Sequence, residues 1–179
     1  MRRYGALFLL AAASCRSPRG PDYLPTDPQK VEMLSLMVPD RIKIMPFTKI
    51  TSFNKDNIPD GILAVVRPID KFGDPVKAAG LLYFELWTYV NASNERKGER
   101  LAFWDRTIAT AEEMRLYWTR AQMYEFQLAW TQGAELLKPN HKYVFTATYR
   151  TPWDTTIQDQ YVLEFHFSNE FMTETAPAE

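Results

Sequence analysis

In residues 81–89 aliphatic and Phe side chains recur at every second position from residue 82 to residue 86, and this pattern restricts the fold more than any other feature of the sequence. A period of two places alternate side chains on opposite faces of an extended strand. The same alternation recurs in residues 124–130 and 161–167, so we predict several strands with one apolar face each. Such faces must be buried against a second layer, which favours a mainly β chain built as an antiparallel β-sandwich. In residues 81–89 the predicted core positions are Leu82, Phe84 and Leu86.

Residues 137–143 predict a corner between two strands. Pro139 cannot donate to a β-ladder, whereas the chain from Tyr143 onward is dense in β-branched and aromatic residues. The spacing Leu137-x-Pro139-x-x-x-Tyr143 resembles the tyrosine corner of fibronectin type III and related immunoglobulin-like domains. The resemblance implies an immunoglobulin-like sandwich in which the Tyr143 hydroxyl bonds to backbone a few residues upstream. It implies an architecture and no activity.

Two segments have features of short helices. Met114, Tyr117 and Ala121 fall at helical spacing, so one short helix is predicted over residues 114–121, with a loop as the alternative. Near the start of the chain, Pro28 follows a capping residue and would occupy a first helical position. A helix and an extended segment explain that second stretch about equally well.

The first fifteen residues have the features of an export signal. Arg2 and Arg3 form a positive region, and residues 4–13 form an apolar core too short to span a bilayer as a helix. The following Ala12-Ala13-Ser14-Cys15 resembles the lipobox of bacterial lipoproteins. The resemblance implies that Cys15 is diacylglycerylated and becomes the mature N-terminus after a signal peptide of residues 1–14. Cleavage at Ala11-x-Ala13 by an ordinary signal peptidase, without a lipid, is the alternative.

This resemblance sets the predicted domain organisation and location. Residues 15–38 would form the lipidated cysteine and a Pro-rich tether, residues 39–168 the β-sandwich domain, and residues 169–179 a disordered tail. We expect a bacterial envelope protein that is held at the membrane by the lipid on Cys15. Arg16 stands where some inner-membrane lipoproteins carry Asp, so the outer membrane is the favoured destination.

The composition argues against several kinds of chemistry. The chain has one Cys, two His in no motif and 7 Gly without a Gly-rich run, so we predict no catalytic site, no cofactor and no metal centre. Calcium binding by turn carboxylates such as Asp70 and Asp74 stays open as a minor alternative. Lys and Arg total 21 against 22 for Asp and Glu, which disfavours nucleic acid as a partner. We therefore do not expect an enzyme.

Aromatic residues are the one excess in the composition, at 14% of the chain. Most are explained by the alternating core pattern, but four fall on outward registers or in loops. Exposed aromatics anchor protein partners or stack on sugar rings. The main prediction is a binding or structural module with a protein partner in the envelope, and the alternative is a module that binds or processes carbohydrate. For Trp87 and Trp118 a purely structural role is favoured over an exposed cluster, because residues 114–121 would cover a sheet face and bury both rings together. The four candidates are Trp87, Tyr89, Trp118 and Trp153.

Overall fold

The computed structural model describes residues 27–54, 59–92, 94–130, 137–138, 140–151 and 153–165. The chain is mainly β with antiparallel sheets and two helices, so the prediction of a mainly β, antiparallel fold is confirmed. The elements in chain order are α1 (Pro28–Ser35), β1 (Arg41–Ile44), β2 (Lys49–Thr51), β3 (Gly61–Ile69), β4 (Gly80–Tyr89), β5 (Lys97–Ile108), α2 (Ala111–Tyr117), β6 (Tyr124–Ala129), β7 (His141–Arg150) and β8 (Thr156–Phe165).

The strands form two sheets. The front sheet has the order β5-β4-β7-β8, and every neighbouring pair is antiparallel. The back sheet is centred on β3, with β6 on one side and both β1 and β2 on the other. Because β1 pairs with the end of β3 and β2 with its beginning, these two short strands act as one interrupted edge strand.

The interruption between β1 and β2 is closed by a side chain. The N–H of Met45 still donates to the carbonyl of Val65, at 2.8 Å. Beyond Pro46, the buried hydroxyl of Thr48 accepts from the N–H of Val65 at 3.0 Å and donates to its carbonyl at 3.2 Å. The hydroxyl replaces a backbone pair, so the backbone of β3 remains satisfied where its edge partner bends away.

The core lies between the two sheets and is built from the alternating positions that the sequence marks. Phe84 of the front sheet packs on Phe126 of the back sheet with ring centroids 5.2 Å apart, and stacks on Phe145 at 5.8 Å. Leu82 and Leu86 are buried beside it. Fully burying a side chain of this kind contributes about 1.5 to 3 kcal/mol, so this layer is the main source of stability.

Side chains also join the open sides of the two sheets. On one side, the carboxylate Oδ2 of Asp159 in β8 accepts from the N–H of Ile44 in β1 at 2.7 Å. On the other side, the indole Nε1 of Trp104 in β5 donates to the carbonyl of Ala129 in β6, also at 2.7 Å. These bonds satisfy edge groups that the ladders leave unpaired.

Two buried tyrosines hold the connection that leads from β3 to β4. The Tyr124 hydroxyl accepts from the N–H of Ala78 at 2.9 Å and donates to its carbonyl at 3.0 Å. The Tyr149 hydroxyl donates to the carbonyl of Ala79 at 2.6 Å. Burial raises the pKa of Tyr149 to about 12 and also raises the pKa of Tyr124. A side chain at Gly80 would place its Cβ 2.6 Å from the Tyr149 ring, so the backbone passes close to this ring.

Both helices begin at side-chain caps. In α2, the Thr110 hydroxyl accepts from the N–H of Glu113 at 3.1 Å, while the Glu113 carboxylate accepts from the N–H of Thr110 at 2.9 Å. Backbone N–H groups from Ala109 and Thr110 therefore lower the pKa of Glu113. In α1, Asp27 accepts from the N–H of Gln29 at 3.0 Å. The segment at Pro28 adopts the helical alternative, whereas the helix predicted over residues 114–121 is only partly found, because α2 begins at Ala111 and ends at Tyr117, so the structure has two helices where one was predicted.

The corner before β7 has a hydrogen-bonded tyrosine. The buried Tyr143 hydroxyl accepts from the N–H of Lys138 at 2.7 Å and lies 3.4 Å from the carbonyl of the same residue, to which it donates. Leu137 is buried beside this turn. Pro139 lies outside the described residues, as do Cys15 and the segments assigned to the signal peptide and the tail.

Candidate functional site

The candidate site is the outer face of the front sheet, which we define as the side that points away from the core. Because Leu82, Phe84 and Leu86 point inward, the intervening residues of β4 point outward. Antiparallel pairing then sets the neighbours: β5 supplies Phe103 beside Glu85 and Arg100 beside Trp87. The outer face carries Tyr83, Glu85, Trp87, Tyr89, Arg100 and Phe103.

Arg100 is the central cation of the outer face. Its guanidinium lies 5.8 Å from the ring centroid of Trp87 and 5.8 Å from that of Phe103. The same group donates to Glu85 Oε1 at 3.0 Å, which forms a partly exposed ion pair. A guanidinium that has both a carboxylate and aromatic faces is fixed in position more firmly than one with a single neighbour.

Two further cations lie near the aromatic rings of the outer face. The Lys97 ammonium lies 5.9 Å from the centroid of Trp87, and the Arg96 guanidinium lies 5.9 Å from that of Tyr89. Tyr83 and Phe103 stack on each other with their centroids 5.9 Å apart. The outer face therefore combines aromatic rings with cations that lie over three of them, those of Trp87, Tyr89 and Phe103.

The large outward side chains of β4 cover the outward residues of the neighbouring strand β7. Val144 and Thr146 of β7 also lie on the outer register, yet they are 1% and 0% exposed. The Thr146 hydroxyl lies 3.4 Å from Glu85 Oε2. The indole Nε1 of Trp87 is buried and has no hydrogen-bond partner among the described residues. The outer face is thus a close-packed surface layer with an unsatisfied donor.

The four aromatic residues singled out by the sequence do not lie together. Trp87 and Tyr89 share the outer face, two residues apart on β4. Trp118 follows α2 and packs edge-on against Tyr124, 4.8 Å between centroids, at the margin of the core. Trp153 lies in the turn after β7, whereas Tyr89 lies near the start of β7, at the other end of the sheet. At about 3.3 Å per residue along β7, the two residues are roughly 25 Å apart. Trp87 and Tyr89 alone can contribute to one binding surface.

Sequence reasoning did not identify the cations of the outer face. Residues 94–100 have the composition of a polar loop, but β5 begins at Lys97. The pairing of β5 with β4 is also irregular on both sides of Trp87, which brings Arg100 opposite that ring. A bulge of this kind has no reliable signature in local composition.

A cleft opens at the Tyr89 end of the outer face. Its volume is about 480 Å³, and it continues past the edge of β8 toward β2. Lys142 forms an ion pair with Glu164 at 2.8 Å. The hydrogen bond and charge of Glu164 raise the pKa of Lys142, while the positive charge of Arg96 acts in the opposite direction. The cleft is lined by Lys49, Tyr89, Arg96, Lys142, Tyr161 and Glu164, among others.

The pKa shifts in the described residues are caused by hydrogen bonds, ion pairs and burial that also stabilise the fold. In addition to Glu113, the buried tyrosines and Lys142, Arg150 has a raised pKa because it pairs with Asp154 and hydrogen-bonds to Tyr83. In the turn after β3, Asp70 Oδ1 accepts from the N–H groups of Phe72 at 2.9 Å and Asp74 at 3.0 Å. Within the described ranges, no group of three or more His, Cys, Asp or Glu residues is arranged to hold a metal ion.

No helix in the described part of the chain has the length and apolar character needed to cross a membrane. A scan of protein-family models and searches of curated proteins and of solved structures found no match to this chain.

Proposed function

We propose that the chain is a lipid-anchored protein of a bacterial envelope whose folded domain is a non-catalytic binding module with an immunoglobulin-like architecture. The anchor would be the lipidated Cys15, as the lipobox-like Ala12-Ala13-Ser14-Cys15 implies. The outer membrane is the proposed location, because Arg16 follows that cysteine. Two antiparallel sheets and the hydrogen-bonded Tyr143 support the architectural part of the proposal.

The observation that carries the binding role is the aromatic and cationic outer face. Aromatic residues and Arg are the residue types most enriched where protein partners bind tightly. Here Trp87 and Arg100 are held in contact before any partner arrives, so less side-chain entropy would be lost on binding.

The carbohydrate alternative has weaker support from the same face. Sugars stack on free aromatic faces, whereas cations lie over the rings of Trp87, Tyr89 and Phe103. A sugar ring would have to displace Arg96 or Arg100 from its aromatic neighbour. A protein partner that offers carboxylates can instead use these cations where they are.

Metabolic labelling with an alkyne fatty acid tests the anchor. We expect label on the wild-type chain and its recovery with membranes, because the acyl chains contribute about 0.8 kcal/mol per buried methylene. Cys15→Ser should lose the label, since it removes the single thiol of the chain. Unlabelled wild-type protein of mature size would mean that an ordinary signal peptidase cleaves it and that the lipid anchor is wrong.

Cross-linking in intact envelopes tests the binding role. A photo-reactive amino acid at Phe103 should capture a discrete partner, and Arg100→Ala should reduce that product strongly. The same probe at Leu116, which is also exposed but lies on α2, is the matched control. Equal products from both positions would mean that the outer face does not select a partner.

A further inference from the structure

The exposed apolar side chains of the domain are unevenly distributed. Eight large apolar side chains are exposed in the described part of the chain. Four of them, Met33, Leu36, Met37 and Phe72, belong to α1, the residues just after it and the turn after β3. Exposed apolar residues are ordinary on a protein surface when they are scattered, so their positions in the fold decide whether they form a contact surface.

Strand pairing places α1 and the turn with Phe72 at the same end of the back sheet. Arg41, the first residue of β1, pairs with Ile69, the last residue of β3. The N–H of Asp40 continues this contact by donating to the carbonyl of Ile69 at 2.9 Å. α1 ends at Ser35, shortly before Asp40, and Phe72 follows shortly after Ile69. We call this part of the domain the entry end, because the chain reaches the sheets through α1.

α1 presents one apolar side to solvent. Met33, Leu36 and Met37 have the spacing that places side chains on one side of a helix. The helical turn continues through these residues, since the N–H groups of Leu36 and Met37 donate to the carbonyls of Met33 and Leu34 at 3.2 Å and 3.0 Å. Val31 and Leu34, on the opposite side, are half-buried. The exposed side is therefore available for contact with a second surface.

The turn after β3 holds Phe72 in an outward position. Asp70 Oδ1 accepts from the N–H groups of Phe72 and Asp74, and the Asp70 carbonyl accepts from the N–H of Gly73 at 3.1 Å. Gly73 has a φ of 96°, which residues with a side chain rarely adopt. The Phe72 ring is 71% exposed at the tip of this closed turn. Because the turn is already ordered, insertion of the ring into another phase costs little backbone entropy.

The length of chain upstream of α1 limits how far the entry end can lie from a lipid on Cys15. Asp27, where the described residues begin, stands twelve positions after Cys15. Even fully extended, such a segment spans at most about 40 Å. Every strand follows α1 in the chain, so the entry end is the part of the domain closest to the proposed anchor.

We infer that the entry end lies on the surface of the phospholipid bilayer that holds the lipid on Cys15, with Met33, Leu36, Met37 and Phe72 inserted between headgroups. This second, non-covalent contact rests on the proposed lipid anchor. Apolar side chains of this kind enter the boundary between headgroups and acyl chains to a depth of about 5 to 10 Å. A bilayer is favoured over a protein as the occupant because the anchor keeps it beside this end at a high effective concentration.

The charges of the entry end indicate which property of the bilayer it recognises. Residues 27–41 and 70–77 carry four Lys or Arg and five Asp or Glu side chains. With nearly balanced charge, the surface is not drawn to anionic lipid by its net charge. The contact therefore depends on apolar burial and should resist salt.

Contact at the entry end would also orient the outer face. β4 starts at the same end, because Ala78, two residues before Gly80, is held by Tyr124, and Tyr124 pairs with β3 close to the end of that strand. β4 then runs away from the entry end, so Tyr89 lies roughly 30 Å from Gly80 at about 3.3 Å per residue. The Tyr89 end of the outer face would point away from the bilayer, toward a partner.

Photo-cross-linking in bacterial cells grown with radioactive phosphate tests the inference. A diazirine amino acid at Met37 or Phe72 of the full chain should give adducts that carry labelled phospholipid and form only on irradiation. The same probe at Phe47 is the matched control, because that ring is 63% exposed but lies beside Thr48, which bonds Val65. Val65 is about 13 Å from the end of β3, which exceeds the insertion depth.

Two outcomes of this experiment would overturn the inference. Equal phospholipid adducts from Phe47 and Phe72 would mean that the probes report general exposure. Adducts of Met37 and Phe72 with a second copy of the chain, or with another envelope protein, in place of lipid would make the entry end a protein interface.

Substitution of the inserted side chains tests the apolar character of the contact. Met37→Ser combined with Phe72→Ser should lower the phospholipid adduct from a probe at Met33 by about fivefold or more, because less apolar surface leaves water. Phe47→Ser is the control and should change this adduct by less than about twofold. All these side chains are exposed, so their loss leaves the core intact. An undiminished adduct in the double variant would contradict the insertion.

Salt dependence separates insertion from electrostatic attraction. The purified full chain is reconstituted into liposomes of phosphatidylethanolamine and phosphatidylglycerol, and the adduct from Phe72 is measured from about 0.05 to 0.5 M salt. We expect a change of less than about twofold, since screening acts on charges and not on buried apolar surface. A steep fall with salt would show that charges hold the domain at the bilayer and would refute insertion.

Fatty-acid labelling of the same samples distinguishes a failure of this contact from a failure of the anchor. If Cys15 carries lipid but probes at Met37 and Phe72 give no phospholipid adduct, the contact at the entry end is wrong and the proposed anchor stands. If Cys15 carries no lipid but both probes give phospholipid adducts, the anchor is wrong and the contact stands.

Discussion

Replacement of Tyr149 by Phe should change how the stability of the domain depends on alkaline pH. The Tyr149 side chain is 1% exposed, and its hydroxyl donates to the carbonyl of Ala79 at 2.6 Å. Its pKa is raised from 10.0 to about 12, first because burial disfavours the phenolate and second because of the nearby Tyr124. The folded state thus holds the proton more tightly than the unfolded chain does.

The sign and size of the effect follow from this raised pKa. The stability linked to the Tyr149 proton is fully present below pH 10 and is lost as the pH rises through about 12. Two pKa units correspond to about 2.7 kcal/mol when the loss is complete, and to about 2 kcal/mol at pH 12. Tyr149→Phe removes the hydrogen bond, which costs about 1 to 2 kcal/mol at neutral pH, but it also removes this alkaline loss.

Urea unfolding followed by tryptophan fluorescence at pH 8 to 12 measures both effects. We expect wild type to be more stable than Tyr149→Phe at pH 8 and to lose that advantage between pH 10 and 12. Tyr117→Phe, a half-buried ring whose hydroxyl has no hydrogen bond in the described ranges, is the control. If wild type and Tyr149→Phe lost stability in parallel over the whole range, the phenol would be accessible to water and the reasoning refuted.

Substitutions at three further positions test local features of the fold. Tyr143→Phe removes the bond to Lys138 and should cost about 1 to 2 kcal/mol, whereas Tyr143→Ala should cost about 3 kcal/mol or more in denaturant melts; an unchanged midpoint for Tyr143→Phe would place the hydroxyl in water. Asp159→Ala leaves the N–H of Ile44 without its acceptor and should cost about 1 to 3 kcal/mol, with faster amide exchange at Ile44; unaltered exchange there would contradict the bond. Thr110→Ala removes the cap of α2 and should cost about 1 kcal/mol, whereas Thr110→Ser should recover most of it; equal losses would exclude capping.

The sequence predicts the local features of this fold well. Alternation along residues 81–89 identifies Leu82, Phe84 and Leu86 as core residues, because the side-chain period of a strand is a property of the backbone itself. Part of the helix α2 is foreseen for a similar reason, since helical spacing of apolar residues is also a local property, whereas its capping box at Thr110 and Glu113 was not identified from the sequence. Features that depend on which strands meet are not foreseen in this way.

Most of the candidate site depends on which strands meet. Trp87 was selected from the sequence as an outward aromatic, but Arg100 lies beside it through an irregular pairing of β4 with β5. The cleft needs β2 and β8, whose residues Lys49 and Glu164 are far apart in the chain. Such neighbours are set by tertiary packing, and composition alone does not encode them.

The bond between Asp159 and Ile44 also has a consequence for the order of folding. It joins residues separated by 115 positions, so β1 leaves the ribosome long before its partner on β8 has been made. Contacts of this separation carry a large loop-closure cost and make folding slow. Until β8 arrives, β1 presents an unpaired edge to any other extended chain, and a newly made copy is most exposed to aggregation in that interval.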